Sequence, residues 1–280
     1  MPEQEIEALK KKAYRLRRDV VEMVYRARSG HPGGALGMAD VLTVLWYKFL
    51  RDDPQTPRWP ERDRFILSNG HTCPILYAIL ADKGYFPREE LWRLRKLGAL
   101  LQGHPSTVSG TPGVEFSSGS LGIGLSFACG VALAGKLDRK YYRVFCSISD
   151  AECQEGQTWE AALTARHYRL DNLIAILDRN GSQIDGPTEE IMGIDPLAEK
   201  WRACGWHTFE IDGHDYGQII EAFEEALQVE EKPKVIICHN VIGRGVSFME
   251  GDYHWHHGAP TEEQFAQAME ELTSAGRENR

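Results

Sequence analysis

Residues 144–180 read VFCSISDAECQEGQTWEAALTARHYRLDNLIAILDRN, and this stretch decides the fold class. Its apolar runs at 144–149 and 173–177 lack alternation of apolar and polar residues, and a helical segment at about 155–168 separates them. Strands of this kind are typical of a parallel sheet covered by helices on both faces, because parallel neighbours need a crossover connection. The stretch therefore predicts a strand-helix-strand unit.

The same pattern continues on both sides of this unit. Further strands are predicted at 65–67, 206–211 and 235–238. Further helices are predicted at about 73–83, 120–136, 196–204 and 215–229. An amphipathic first helix ends near 29–30, the glycine-rich loop SGHPGGALG leads to a second helix at about 38–49, and a final helix after Thr261 frays at 276–280. We therefore predict an α/β fold with a doubly wound, mostly parallel sheet and helices on both faces, in one domain of residues 1–280.

Composition limits the classes of function. The chain has 280 residues, of which 42% are apolar and 26% charged, and its 32 Lys+Arg against 41 Asp+Glu give a formal charge of −9. These values are ordinary for a folded globular protein and exclude disordered and fibrous classes. The acidic balance argues against nucleic acid as a partner, since a polyanion needs clustered Lys and Arg. A small anionic ligand remains compatible with this composition.

Location and redox state follow from what the sequence lacks. No run of about 18 or more apolar residues occurs, and the first residues, MPEQEIEALKKK, contain no apolar signal-peptide core. We therefore expect a cytoplasmic protein that does not enter a membrane. The six cysteines have no CxxC pair and no regular spacing, so we expect reduced core residues.

Polar side chains follow the two strands of the opening stretch. Asp150 comes directly after the first strand, and Asn180 follows the second. If the strands are neighbours, these side chains converge where parallel sheets bind ligands, and a backbone carbonyl in the next loop could add a third oxygen. Such a site suits Mg²⁺ bridging a diphosphate. The alternative, that Asp150 caps a helix and Asn180 occupies a left-handed turn, is equally compatible with the spacing.

Histidines next to glycine favour the functional interpretation. His31, His71, His104 and His257 lie in the loops SGHPGG, SNGH, QGHPS and HHGAP. At such positions the backbone can approach a ligand closely, and imidazole can donate to phosphate or exchange a proton near neutral pH. We therefore expect these four histidines to serve a site.

A further glycine-rich loop, GSLGIG at 119–124, precedes a predicted helix. Glycines there could admit a ligand against backbone amides. Their order is GxxGxG, whereas the dinucleotide fingerprint is GxGxxG after a strand, so a nicotinamide-dependent dehydrogenase is disfavoured.

Seven motifs together resemble one enzyme family. They are SGHPGGALG, ILSNGH, GHPS, GSLGIG, SDAECQEGQTWEA, LDRNGSQIDG and HHGAP. In this combination and order the chain is similar to the N-terminal, thiamine-diphosphate-binding domain of transketolase over nearly its whole length. The resemblance implies the thiamine-diphosphate-binding fold, with residues 1–280 forming the diphosphate-binding domain.

The resemblance also assigns roles at the diphosphate end of the cofactor. It implies that Asp150, Asn180 and the backbone carbonyl of Ser182 ligate Mg²⁺ or Ca²⁺. It further implies that the diphosphate is held by His71, His257 and the amide of Ala151. The family usually has Gly-Asp-Gly where this chain has Ser149-Asp150-Ala151, so a methyl group stands where the backbone approaches the diphosphate.

Other implied roles concern the rings and the sugars. Gly119, Ser120 and Leu121 would line the aminopyrimidine and thiazolium rings, and Ile184 would help impose the bent shape of the cofactor. Glu155 matches an acidic residue near the contact between paired cofactor sites. The sugar donor and acceptor would be faced by His31, His104 and His257, which would bind hydroxyls and move protons.

The expected activity is transfer of a two-carbon ketol group between sugar phosphates, by resemblance from xylulose 5-phosphate to ribose 5-phosphate. In the family, the glutamate that activates the aminopyrimidine belongs to a following pyrimidine-binding domain, which the sequence after Pro260 could not encode. We therefore expect a split enzyme, with a separate C-terminal subunit in an α2β2 assembly. The alternatives are a related subunit for another sugar or a deoxyxylulose-type product, and a catalytically silent thiamine-diphosphate-binding subunit.

Overall fold

Five strands form one parallel sheet in the computed structural model, which describes residues 3–278. The five strands of the sheet are Arg64–Leu67 (β1), Val144–Ser149 (β2), Leu173–Arg179 (β3), His207–Asp212 (β6) and Lys234–His239 (β7). Two further short strands, Ser182–Gln183 (β4) and Gly186–Pro187 (β5), form a separate antiparallel hairpin. The helices are Glu3–Ala27 (α1), Pro32–Gly37 (α2), Ala39–Val44 (α3), Cys73–Lys83 (α4), Gly124–Leu137 (α5), Gly156–His167 (α6), Thr188–Met192 (α7), Leu197–Ala203 (α8), Tyr216–Ala226 (α9) and Glu262–Glu278 (α10).

The order of the sheet is β1-β2-β3-β7-β6, and every pair in it is parallel. Alternate residues of the strands enter two separate apolar layers. Phe145 and Ile176 pack with α1, α3, α4 and α9 on one face, whereas Cys146 and Leu177 pack with α5, α6 and α8 on the other. Burial on both faces explains why β1, β2, β3 and β7 are mostly apolar, whereas the edge strand β6 is largely exposed and contains polar residues. The predicted α/β class with helices on both faces is confirmed.

A buried ion pair joins α1 to α3 beneath the glycine-rich segment 29–37. The guanidinium of Arg17 donates to both carboxylate oxygens of Asp40, at 2.8 and 2.7 Å. Tyr216 and His214 also bond this carboxylate, and the Nε of Arg17 donates to the carbonyl of Leu36 in α2. Paired and fully hydrogen-bonded charges can stay buried, so this network fixes α2 against α1.

Several boundaries differ from the sequence-based expectations. The loop preceding the second helix contains α2, and the second helix is α3 followed by a wider π turn at Leu45–Phe49. The helix expected from 120 starts at Gly124, because Gly119 and Gly122 have φ angles of +150° and +80° that helices do not accommodate. The short hairpin β4-β5 and helix α7 were not predicted. The expected fraying at 276–280 lies partly outside the described residues.

All six cysteines are free thiols, and five of them are buried, as expected. Within residues 3–278, no helix combines the length and apolar character needed to cross a membrane.

Candidate functional site

The carboxyl ends of β2 and β3 lie side by side, with Ser149 paired to Asp178. The next residue after β2, Asp150, is buried, and its Oδ2 accepts from the amide of Gly181 at 2.9 Å. The same oxygen accepts from Arg179 at 3.2 Å, and Oδ1 accepts from the amide of Ala151 at 2.8 Å. The carboxylate of Asp150 is therefore fixed in the turn that contains Asn180.

The amide of Asn180 has a defined orientation. Its Nδ2 donates to the carboxylate of Asp178 at 2.8 Å, and its Oδ1 accepts from the amide of Ser182 at 2.9 Å. The other carboxylate oxygen of Asp178 accepts from Asn240 at 2.7 Å. The side-chain nitrogen of Asn180 is thus held by the buried Asp178, and its side-chain oxygen faces the 180–182 turn.

The donor set at this edge fits a hard divalent cation. Asp150 and Asn180 offer oxygen atoms, which Mg²⁺ and Ca²⁺ prefer, and Arg179 is the cation that the structure places on the Asp150 carboxylate. Burial raises the pKa of Asp150 above its ordinary value, although Arg179 and the Gly181 amide oppose the shift. Burial also raises the pKa of Asp178 to about 7, and the nearby charge of Asp150 adds to this. A cation here would stabilise the charged form of both carboxyl groups.

Backbone hydrogen bonds bring two distant histidine loops together. The amide of Gly258 donates to the carbonyl of Gly30 at 2.8 Å, and the amide of Gly243 donates to that of Gly33 at 2.9 Å. These bonds place the HHGAP segment beside His31, which directly precedes α2.

A cluster of imidazoles results. The ring centroid of His31 lies 5.7 Å from His71, 5.7 Å from His104, 5.5 Å from His256 and 6.2 Å from His257. His71 and His256 are 4.9 Å apart. The four loops whose histidines were expected to serve a site therefore meet in space.

Burial keeps most of these rings neutral. It lowers the pKa of His31 to about 3, with smaller contributions from the neighbouring imidazoles and from Arg95. Burial is also the main cause of the lowered pKa values of His71, His104 and His256. A neutral imidazole has one N–H donor and one nitrogen acceptor, so the cluster can both donate to phosphate oxygens and accept from hydroxyls.

The cluster and the strand ends line one cavity of about 350 Å³. Of the residues proposed from the sequence, it is lined by His31, His71, His104, Gly119, Leu121, Asp150, Ala151, Glu155, Asn180, Ser182 and Ile184. Ser120 and His257 do not line it, and both are exposed. The amide of Ala151, which the resemblance assigns to the diphosphate, bonds to Asp150 instead.

Sequence reasoning missed several residues of the cavity wall. His256 lines the cavity, whereas His257 does not. The sequence favoured His257, because only this histidine of the pair adjoins a glycine. Gln183 was also missed, and its buried Oε1 has no hydrogen-bond partner among residues 3–278. Glu152 was missed as well, and it is fully buried behind the cavity wall. Its position two residues after Asp150 was the signal that the sequence offered.

Known proteins share this fold and sequence. The family described as "Transketolase, thiamine diphosphate binding domain" matches residues 9–276. The "6-deoxy-6-sulfo-D-fructose transketolase subunit SqwG" of a Clostridium species is 44% identical over 276 residues, covering 99% of this chain and 100% of that protein. An apulose-4-phosphate transketolase subunit of Phocaeicola vulgatus is 40% identical over 269 residues, covering 96% and 95%.

Longer relatives match as well. Human transketolase is 40% identical over 276 residues, which are 97% of this chain and 43% of that protein. The crystal structure of transketolase from Campylobacter jejuni superposes with a TM-score of 0.89 at 34% identity, covering 95% of this chain and 42% of that one. The chain thus spans less than half the length of these transketolases.

Fold, site and relatives together define a thiamine-diphosphate-binding α/β domain. More narrowly, the chain belongs to the transketolase family and corresponds to its N-terminal, thiamine-diphosphate-binding domain.

Proposed function

We propose that this chain is the N-terminal subunit of a thiamine-diphosphate-dependent transketolase that transfers a two-carbon ketol group from a ketose phosphate to an aldose phosphate. The observation that carries the proposal is the meeting of the Asp150 and Asn180 strand ends with the histidine cluster in one cavity. A divalent cation with a diphosphate needs the first feature, and a polyhydroxylated substrate needs the second.

Each group of residues has a distinct task in this proposal. Asp150, Asn180 and the carbonyl of Ser182 hold Mg²⁺ or Ca²⁺, and His71 donates to the diphosphate. Gly119 and Leu121 border the rings of the cofactor, with Ile184 beside them. Bound thiamine diphosphate supplies the carbon nucleophile and electron sink that ketol transfer requires. The neutral rings of His31, His104 and His256 bind substrate hydroxyls and hold or release a proton at a ring nitrogen.

We propose two candidate types of substrate. Xylulose 5-phosphate and ribose 5-phosphate are the default donor and acceptor by resemblance. Three relatives matched along almost their whole length carry names for 6-deoxy-6-sulfofructose or apulose 4-phosphate, which supports another ketose with a terminal anionic group as the second candidate.

A separate C-terminal subunit is part of the proposal. The relatives of similar length are themselves named as subunits. The cavity is open on one side, where the apolar side chains of Ile184 and Ile191 are 58% and 47% exposed. An exposed apolar rim around a ligand cavity is typical of a surface that another protein covers. We propose that this partner supplies the glutamate for the aminopyrimidine and the grip on the sugar phosphate, in an α2β2 assembly.

Reconstitution tests the proposal. The purified chain is mixed with a candidate pyrimidine-binding subunit encoded beside it, and ketol transfer is assayed with thiamine diphosphate, Mg²⁺ and a panel of ketose donors. We expect ketol transfer only when both subunits are present, and none when this chain carries Asp150→Ala. Activity from this chain alone would contradict the split enzyme, and an inactive pair that still binds the cofactor would favour a silent binding subunit.

A further inference from the structure

Glu152 is a fully buried carboxylate whose hydrogen bonds within residues 3–278 include no cationic partner. Its Oε1 accepts from the amide of Gly122 at 2.9 Å and from the hydroxyl of Ser68. Its Oε2 accepts from the amide of Ser149 at 2.9 Å. Burial of a charged group costs free energy unless hydrogen-bond donors surround it, and here donors from three residues of the protein do so.

These donors come from three separate segments of the cavity wall. Ser68 directly follows β1 and lies three positions before His71. Gly122 belongs to the loop that carries Gly119 and Leu121. Ser149 ends β2 and directly precedes Asp150. The Glu152 carboxylate therefore connects the segment before His71, the loop of Gly119 and Leu121, and the strand end before Asp150.

The connections are reinforced on both sides. Besides donating to Glu152, the hydroxyl of Ser68 accepts from the amide of Gly124 at 3.0 Å, at the first residue of α5. The backbone carbonyl of Glu152 accepts from Thr158 in α6 at 2.6 Å. A loop whose Gly122 has a φ of +80° gains a fixed position from these bonds.

Charge and reach together single out glutamate for this position. The amides of Gly122 and Ser149 can only donate, so both carboxylate oxygens must be acceptors. Glutamine has one acceptor oxygen, and its NH₂ would face one of the two amide donors. Aspartate is one methylene shorter and cannot span from the β2 end to the 119–124 loop in the same way.

We propose that Glu152 is a positioning residue that holds the end of β1, the 119–124 loop and the end of β2 in register as one binding surface for thiamine diphosphate. The inference rests on the proposed function for its ligand, although the alignment of the three segments is a property of the free chain. Glu152 acts through the residues it orients and does not touch the cofactor.

The test compares Glu152→Gln with a matched control, Asp63→Asn. Asp63 is likewise buried and accepts from two backbone amides, Arg51 at 3.0 Å and Arg143 at 2.8 Å, although the guanidinium groups of both arginines also pair with it. It lies before β1, at the opposite end of the strands from Glu152. Hydrogen exchange of the full chain is measured without ligand, together with thermal unfolding. Calorimetry then measures binding of thiamine diphosphate with Mg²⁺.

We expect Glu152→Gln to speed exchange in the 118–125 peptide about tenfold or more and to weaken cofactor binding about tenfold, because an unsatisfied buried donor is costly. Asp63→Asn should change neither quantity, even where it lowers the unfolding temperature as much. Ser68→Ala, which keeps the carboxylate, should reproduce part of both effects, and adding it to Glu152→Gln should cost less than the sum.

Unchanged exchange at 118–125 in Glu152→Gln, or equal loss of binding in the Asp63→Asn control, would overturn the inference. If Glu152→Gln does not fold, Ser68→Ala decides in the same two measurements. A wild-type chain that fails to bind thiamine diphosphate even with its partner would count against the proposed function, whereas the exchange comparison would still decide the role of Glu152.

Discussion

The carboxylate of Asp150 accepts a hydrogen bond from the backbone amide of Gly181 at 2.9 Å, which ties the end of β2 to the turn after β3. This bond crosses between neighbouring parallel strands at their carboxyl ends, where open α/β sheets bind ligands. It keeps the carboxylate and the Asn180 amide in one turn before any ligand is bound. The oxygen atoms of the proposed cation site are therefore preorganised by the fold, which would lower the cost of binding a cation.

Replacement of Asp150 by alanine should abolish metal-dependent binding of thiamine diphosphate. Loss of an outer-shell partner costs roughly 10–100-fold in metal affinity, and loss of a direct ligand should cost more. Calorimetry with Mg²⁺ and thiamine diphosphate measures the change, with thermal unfolding as a check on folding. Asp185→Ala, which removes an exposed carboxylate from the same cavity, is the control and should retain binding. Undiminished affinity in Asp150→Ala would remove the proposed cation site.

The buried imidazoles should make stability depend on pH. Burial lowers the pKa of His31 to about 3, whereas the unfolded chain has a value near 6.5. Between these values the unfolded state binds more protons, so this contribution is fully present above about pH 6.5 and is lost as the pH falls toward 3. Relative to His31→Asn, the wild type should lose up to about 2 kcal/mol between pH 7.5 and pH 5.

Urea unfolding of both proteins at the two pH values measures this difference. The comparison with the variant is needed because the pKa of Asp178 is raised to about 7. A carboxyl of that kind acts in the opposite direction, since its contribution is lost as the pH rises through the folded value. A parallel pH dependence in the wild type and His31→Asn would show that His31 is not the group that titrates.

Most of the sheet could be predicted because four of its strands, β1, β2, β3 and β7, are buried along most of their length. Such strands appear in the sequence as short, mostly apolar runs. These four and the largely exposed edge strand β6 were predicted within about two residues of their bounds. Helix α2 could not be found in this way. Its sequence PGGALG has low helix propensity, and it is held by the Arg17 bond to Leu36 and the Gly243 bond to Gly33.

The candidate site was predicted in part, for a different physical reason. The positions of Asp150 and Asn180 follow from strand ends alone, since parallel strands end at the same edge. The choice between His256 and His257 does not, because adjacent side chains in an irregular segment point according to backbone angles that distant contacts impose. Glu152 was missed because its partners, Ser68 and Gly122, are 84 and 30 positions away.

Close approach of α2 to the 242–255 segment should make Gly33 intolerant of a side chain. A Cβ at Gly33 would lie 2.6 Å from both the carbonyl oxygen of Trp255 and the Cγ1 of Ile242. Gly33→Ala should therefore destabilise the protein by about 1–3 kcal/mol. The matched control is Gly130→Ala in α5, where a Cβ meets no atom within 4 Å and helix propensity favours alanine by about 0.5–1 kcal/mol.

Urea unfolding should thus shift in opposite directions for the two alanine variants. Because Trp255 precedes His256, Gly33→Ala should also lower kcat/KM of the reconstituted enzyme, whereas Gly130→Ala should leave it unchanged. Equal stability of the two variants would show that the segment moves away from α2 at little cost.

His256 should matter for the site more than its surface neighbour His254. The ring of His256 packs 4.9 Å from His71 and 5.5 Å from His31, and it lines the cavity. The side chain of His254 is 70% exposed and bonds to Asp252 within the same short turn. Both histidines belong to the Tyr253–His256 turn, so their alanine variants perturb the same backbone.

We expect His256→Ala to lower kcat/KM of the reconstituted enzyme about tenfold, the effect of losing one hydrogen bond of about 1.4 kcal/mol. His254→Ala should stay within about twofold, since an exposed group contributes little. The variant His256→Phe separates packing from chemistry, because it keeps an aromatic ring and removes both nitrogens. If His256→Phe retains full activity, the ring contributes packing alone. If His254→Ala loses as much activity as His256→Ala, the turn as a whole is responsible and the assignment of His256 to the cavity chemistry is wrong.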